Sequence, residues 1–118
     1  MKYFISTGEL SGDLHASYIV EKIKKLDKNA NIYAIGGKNL IKQNVEIVRE
    51  IESLAIMGFV EVIKQFSFLK KVLNETVDFI LNNQIDRVVL VDYGGFNLKL
   101  LDILKEKKPT LKISYYIP

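Results

Sequence analysis

The chain has 118 residues, 48% of them hydrophobic and 26% charged, with 2 prolines and 7 glycines; this is the size and composition of one folded domain, and it excludes an intrinsically disordered chain. It contains no cysteine, which removes disulfide scaffolds, thiolate metal sites and cysteine nucleophiles together. Seventeen basic against fourteen acidic residues leave a net charge of +3, and the lysines are scattered without an arginine-rich run or an aromatic platform, so no nucleic-acid partner is expected.

The segment Lys2 to Thr7 is short, aromatic and β-branched and stops at Gly8, as a buried first strand would. A loop, Gly8-Glu-Leu-Ser-Gly12, precedes a helix that runs from Asp13 to Leu26, with Leu14, Ile19, Val20, Ile23 and Leu26 at helical spacing. Asn31 to Ile35 forms a second strand closed by Gly36-Gly37. A brief helix around Asn39 to Gln43 leads to a third strand at Val45 to Val48. Phe59 to Asn83 is predominantly helical, with Ser67 a candidate break and cap.

Arg87 to Asp92 is a nearly continuous apolar run ending in an acid, the pattern of a strand buried on both faces of a parallel sheet. Phe96 to Lys107 supplies a helix that Pro109 stops, and Leu111 to Tyr116 makes a fifth strand. Strands alternate with helices throughout, so the expected fold class is α/β: a doubly wound, mostly parallel sheet in a single domain over residues 1–118.

In such a sheet ligands bind beyond the carboxyl ends of the strands. That rule selects Ser6, Thr7, Glu9, Ser11 and Asp13 after strand one, Gly36 and Gly37 after strand two, and Asp92, Tyr93 and Asn97 after strand four. If strands one and four are neighbours at the switch point, Glu9 and Asp92 share one crevice although they are far apart in sequence. Asp13 has a local explanation, because an acid in the first helical turn complements the macrodipole. Ser11 is placed to cap the same helix. His15 has no second histidine and no cysteine to share a metal with, so no metal site is expected. The first loop is not a phosphate cradle: it lacks both Gly-x-Gly-x-x-Gly and Gly-Lys-Ser/Thr, and Glu9 and Asp13 would repel a pyrophosphate.

No apolar run reaches the ~18 residues of a membrane span. The start, Met1 to Ile5, passes directly into a polar loop with no room for the apolar core of a signal peptide, so a cytosolic chain is expected. The stretch Ile56 to Lys71 is nevertheless unusually apolar. Phe59, Val62, Ile63, Phe66, Leu69 and Leu73 form one helical stripe, while Val60 and Phe68 fall on the side that carries Lys64 and Lys71. Apolar residues beside lysines suit an interfacial lipid contact; a core helix with stray surface hydrophobes is the alternative.

Taken in order, Ser6-Thr-Gly-Glu-Leu-Ser-Gly-Asp13, Ile35-Gly-Gly37, Met57-Gly-Phe-Val-Glu-Val62, Val91-Asp92 followed by Gly95-Phe-Asn97, and Tyr115-Tyr-Ile-Pro118 closely resemble the N-terminal half of the bacterial lipid-A-disaccharide synthase family. The resemblance implies the Rossmann-like, acceptor-side half of a two-domain glycosyltransferase of the B type, with the nucleotide-sugar domain lying beyond this segment. It implies transfer of 2,3-diacylglucosamine from its UDP derivative to the 6-hydroxyl of 2,3-diacylglucosamine 1-phosphate, with inversion at the anomeric carbon and no cofactor or bound metal. Asp92 then looks like the family's essential aspartate and base, and Glu9 like its loop glutamate. Ser11, Gly12, Met57, Gly58 and Asn97 would line the acceptor side. Val60, Val62, Ile63, Phe66 and Leu69 would contact lipid at the inner-membrane surface, making a cytoplasmic, peripherally bound protein. One departure is local: where the family usually has Asp-x-Pro-Asp-Phe-Asn, this chain has Asp92-Tyr-Gly-Gly-Phe-Asn97, so the base role rests on Asp92. The implied fragment would be inactive alone. The rival from another class is a stand-alone flavodoxin-like or receiver-like binding module, but a receiver's acid pair after strand one and lysine after its last strand are both missing.

Overall fold

Strands alternate with helices along the chain, and among the described residues every strand pairing is parallel, because the intervening helices return the chain to the same edge of the sheet. The structure, a computed structural model, describes residues 1–7, 11–50, 62–92 and 95–117; of residues 11 and 62–66 it describes the backbone alone. The elements are β1 (Lys2–Thr7), α1 (Ser11–Leu26), β2 (Asn31–Gly36), α2 (Lys38–Ile41), β3 (Glu46–Glu50), α3 (Val62–Asn82), β4 (Arg87–Val91), α4 (Gly95–Lys107) and β5 (Lys112–Tyr116). Among the described residues the strands form one sheet in the order β3-β2-β1-β4-β5.

The chain winds outward from β1 to β3 and then crosses back to begin again at β4, which pairs with β1 from Tyr3↔Arg87 to Thr7↔Val91. The expected adjacency of strands one and four is therefore present, and the switch point lies between them. Helices α1 and α2 cover one face, where Ile5, Ala16, Val20, Ala34, Leu40 and Val91 pack together. Helices α3 and α4 cover the other, over Phe4, Ile35, Val77, Ile80, Leu90, Leu100 and Leu104. Change of face at the switch point follows from right-handed crossovers run in opposite directions along the sheet.

Several expected boundaries move by a few residues. Helix α1 begins at Ser11 instead of Asp13, and β3 occupies Glu46–Glu50 instead of Val45 to Val48. The expected break at Ser67 is absent: α3 runs unbroken from Val62 to Asn82, and Ser67 lies exposed within it. The helix continues because Val72, Thr76, Val77 and Ile80 stay in one buried line, and the one buried hydroxyl of that line, on Thr76, donates to Val72 O at 2.7 Å without leaving the helix. Strand β4 is less enclosed than expected, since Val89 is only half-buried.

Candidate active site

The carboxyl edge at the switch point is built by side chains that tie neighbouring loops to one another. Ser6 and Thr7 end β1 and are fully buried. Buried hydroxyls need partners, and these two find theirs in opposite directions. Thr7 Oγ1 donates to Ile35 O on β2 at 2.8 Å, and Ser6 Oγ donates to Asn97 Oδ1 at 2.7 Å in the first turn of α4. Asn97 Nδ2 donates to Ser6 O at 3.2 Å and to Val91 O at 2.9 Å. The end of β1 is thus bonded to both neighbouring strand ends.

Asp92 follows β4 directly at this edge, half-exposed, with φ 77. An aspartate is among the few non-glycine residues that tolerate the left-handed region, and such conformations cluster at functional sites. Its N–H donates to Tyr116 O, the last carbonyl of β5, at 2.8 Å. Helix α1 comes up beside it. A β-carbon on Gly12 would stand 3.3 Å from Asp92 Cβ, 3.5 Å from Val91 O and 3.6 Å from Thr7 Cβ, so glycine is what lets the helix lie this close. The ring of half-buried His15 lies 6.5 Å from that of Tyr116 between centroids, closing the β5 side of the edge.

Asp13 does something its position in the sequence does not announce. Its side chain is 4% exposed; Oδ1 accepts from Gly37 N at 2.7 Å and Oδ2 from Asn39 N at 2.8 Å. The carboxylate therefore holds the start of α2 as well as lying in the first turn of its own helix. Gly36, selected from sequence together with Gly37 as part of the ligand edge, is explained by packing. A β-carbon on Gly36 would fall 2.2 Å from Leu40 Cδ1, and the Gly37 amide belongs to Asp13. The hint available in the sequence was the polar end of an apolar strand, Ser6-Thr7, which must bond to something.

Of the expected site residues, Asp92, Gly12, Ser11 and Asn97 are brought to this one edge. Ser11 is the first residue of α1. Asn97 is expected on the acceptor side, yet it is wholly buried, with its oxygen and both amide hydrogens committed to Ser6 and Val91. Glu9, Met57, Gly58 and Val60 lie outside the described residues. Val62, Ile63 and Phe66 belong to the first turns of α3, and Leu69, further along, is half-buried. Phe68, expected on the lysine-bearing side, has the Arg49 guanidinium 5.8 Å above its ring, and Arg49 Nη2 also bonds Glu75 Oε2 at 2.9 Å. That pair ties β3 to α3. Among the described residues no group of histidines and acids is arranged to hold a metal ion, and no helix is long and apolar enough to cross a membrane.

Comparison with known proteins decides the family. The family model described as lipid-A-disaccharide synthetase matches residues 3–118. The chain belongs to the lipid-A-disaccharide synthetase family. It is 36% identical to lipid-A-disaccharide synthase 1 of Legionella pneumophila (strain Paris) over 96% of this chain and 29% of that protein. It is 35% identical to the lipid-A-disaccharide synthase of Rickettsia bellii (strain OSU 85-389) over 98% of this chain and 30% of the relative. The synthase of Coxiella burnetii (strain Dugway 5J108-111) is 31% identical over 93% and 29%. The chain thus spans about three tenths of the length of the curated relatives it matches. Membership of this synthetase family does not favour the receiver-like or flavodoxin-like alternative.

Proposed function

We propose that this segment supplies the acceptor half of a lipid-A-disaccharide synthase, an inverting glycosyltransferase. The whole enzyme joins a UDP-activated 2,3-diacylglucosamine to the 6-hydroxyl of 2,3-diacylglucosamine 1-phosphate. The observation that carries this reading is the placement of Asp92: an acid in a left-handed conformation at the switch point, tethered to β5 and abutted by Gly12, in a chain of this family.

Inversion needs one general base on the acceptor side, because the hydroxyl attacks the anomeric carbon from the face opposite the departing UDP. In this mechanism Asp92 takes the proton of the acceptor hydroxyl as its oxygen bonds to that carbon. Glu9, two residues past β1 in the sequence, is the second acid of the site and orients the same sugar. Ser11, Gly12, Met57 and Gly58 complete the acceptor surface. The leaving diphosphate is steadied by helix N-termini and basic groups outside these residues, so the segment by itself does not turn over.

Both substrates carry acyl chains, and Val60, Val62, Ile63, Phe66 and Leu69 form the apolar contact that meets them and the inner-membrane surface from the cytoplasmic side, with Lys64, Lys70 and Lys71 attracting anionic headgroups. The reading is tested by supplying a polypeptide of family length that carries this segment with the two diacylated sugars in mixed micelles. Formation of the disaccharide 1-phosphate with release of UDP supports it, and turnover of UDP-sugars with unacylated acceptors alone contradicts it.

A further inference from the structure

The peptide that precedes Asp92 is held at both ends. Its carbonyl, Val91 O, accepts from Asn97 Nδ2 at 2.9 Å, and its amide, Asp92 N, donates to Tyr116 O at 2.8 Å. Turning that peptide plane would break both bonds, and the plane is the frame from which the Asp92 side chain departs. Asp92 itself sits at φ 77, a conformation that persists only where the surroundings over-determine it.

Asn97 is built for that task. It is 0% exposed; its two amide hydrogens go to Val91 O and Ser6 O, and its oxygen accepts from Ser6 Oγ. The opposite amide orientation would set Oδ1 against two backbone carbonyls, so the assignment is forced by the partners. An aspartate would face the same two carbonyls with no hydrogen to offer, and a serine has one donor where two are used. No amide hydrogen remains for a sugar hydroxyl. We propose that Asn97, seated by Ser6, is a positioning residue that fixes the Val91–Asp92 peptide and so aims the Asp92 carboxylate, without touching the acceptor. The proposal rests on the reading of Asp92 as the base.

Two measurements test it. Residue-resolved amide hydrogen exchange is compared in the chain and its Asn97→Ser, Ser6→Ala and Leu104→Ala variants, the last removing buried packing in the same helix away from this peptide. In Asn97→Ser the Asp92 amide should exchange about tenfold faster than the general acceleration seen at Phe4 and Val20, and Ser6→Ala should act in the same direction; Leu104→Ala should move all three amides together. An Asp92 amide that never outpaces the others in Asn97→Ser or Ser6→Ala overturns the proposal. In a polypeptide of family length, Asn97→Ser should lower kcat ~10²-fold with the acceptor KM within about threefold. A raised KM at unchanged kcat overturns it by making Asn97 an acceptor ligand. Should Asn97→Ser fail to fold, Ser6→Ala carries both measurements with the same signs. If Asp92→Asn retains turnover, the base reading falls, while the exchange comparison still decides whether Asn97 holds the peptide.

Discussion

Gly12 and Asp92 leave no room for a further atom between them at the switch point: a β-carbon added to Gly12 would stand 3.3 Å from Asp92 Cβ. The consequence is testable because stability and activity are expected to respond differently. Replacing a glycine in a helix with alanine ordinarily stabilises by roughly 0.5–1 kcal/mol, and here that gain is offset by crowding against Asp92 and Val91 O. Gly12→Ala should leave the thermal midpoint within a few degrees of the parent, since these terms are of similar size, while turnover of the family-length enzyme falls about tenfold or more as Asp92 is displaced. Paired melting curves and rate measurements check this.

Asp13→Ala should be costly to the fold. It strips the acceptor from two amides at the start of α2, Gly37 N and Asn39 N, and hydrogen bonds to a charged group contribute ~1.5–3 kcal/mol each. A loss of about 3 kcal/mol in urea unfolding is expected. Asp13→Asn should recover only part of it, because one amide would then face an NH2 group.

Asp13 and Asn97 mark how far the sequence could be read. Strands and helices are legible because their apolar periodicity is local, whereas the pairing of β1 with β4 enters the sequence reading as an assumed doubly wound order and is seen only in the folded sheet. The partners of Asp13 were not legible: a carboxylate in a first helical turn already has a local explanation, and its bonds reach Gly37 and Asn39, 24 and 26 residues away. Asn97 is a stronger case. Its place in Gly95-Phe-Asn97 drew attention to it as a sugar contact, but its hydroxyl partner Ser6 lies 91 residues away, and only the folded edge reveals that its amide is spent on backbone. The unbroken α3 shows the reverse error, in which a capping residue, Ser67, suggested a boundary that tertiary packing overrides.

Gly36→Ala should destabilise by ~1–3 kcal/mol through overpacking, because the new methyl would fall 2.2 Å from Leu40 Cδ1 in a fully buried site. Leu40→Ala alone should cost ~2–5 kcal/mol. The double variant should be less destabilised than the sum of the two, since removing the Leu40 side chain makes room for the methyl. Strict additivity in a denaturation cycle would contradict this account of the glycine.

Serine at Val60, Val62, Ile63, Phe66 and Leu69 together should weaken sedimentation with anionic vesicles. Each such side chain gains up to ~1.5–3 kcal/mol on leaving water. Vesicle binding that is unchanged while the melting temperature collapses would assign these residues to the core instead.

The base role of Asp92 is tested most directly by the transfer rate of Asp92→Asn in a polypeptide of family length, measured beside its circular dichroism spectrum. The amide keeps the shape and the tolerance for φ 77 but cannot accept the acceptor's proton, so kcat should fall by at least ~10²-fold with the spectrum unchanged. Near-parental turnover by that variant would contradict the account.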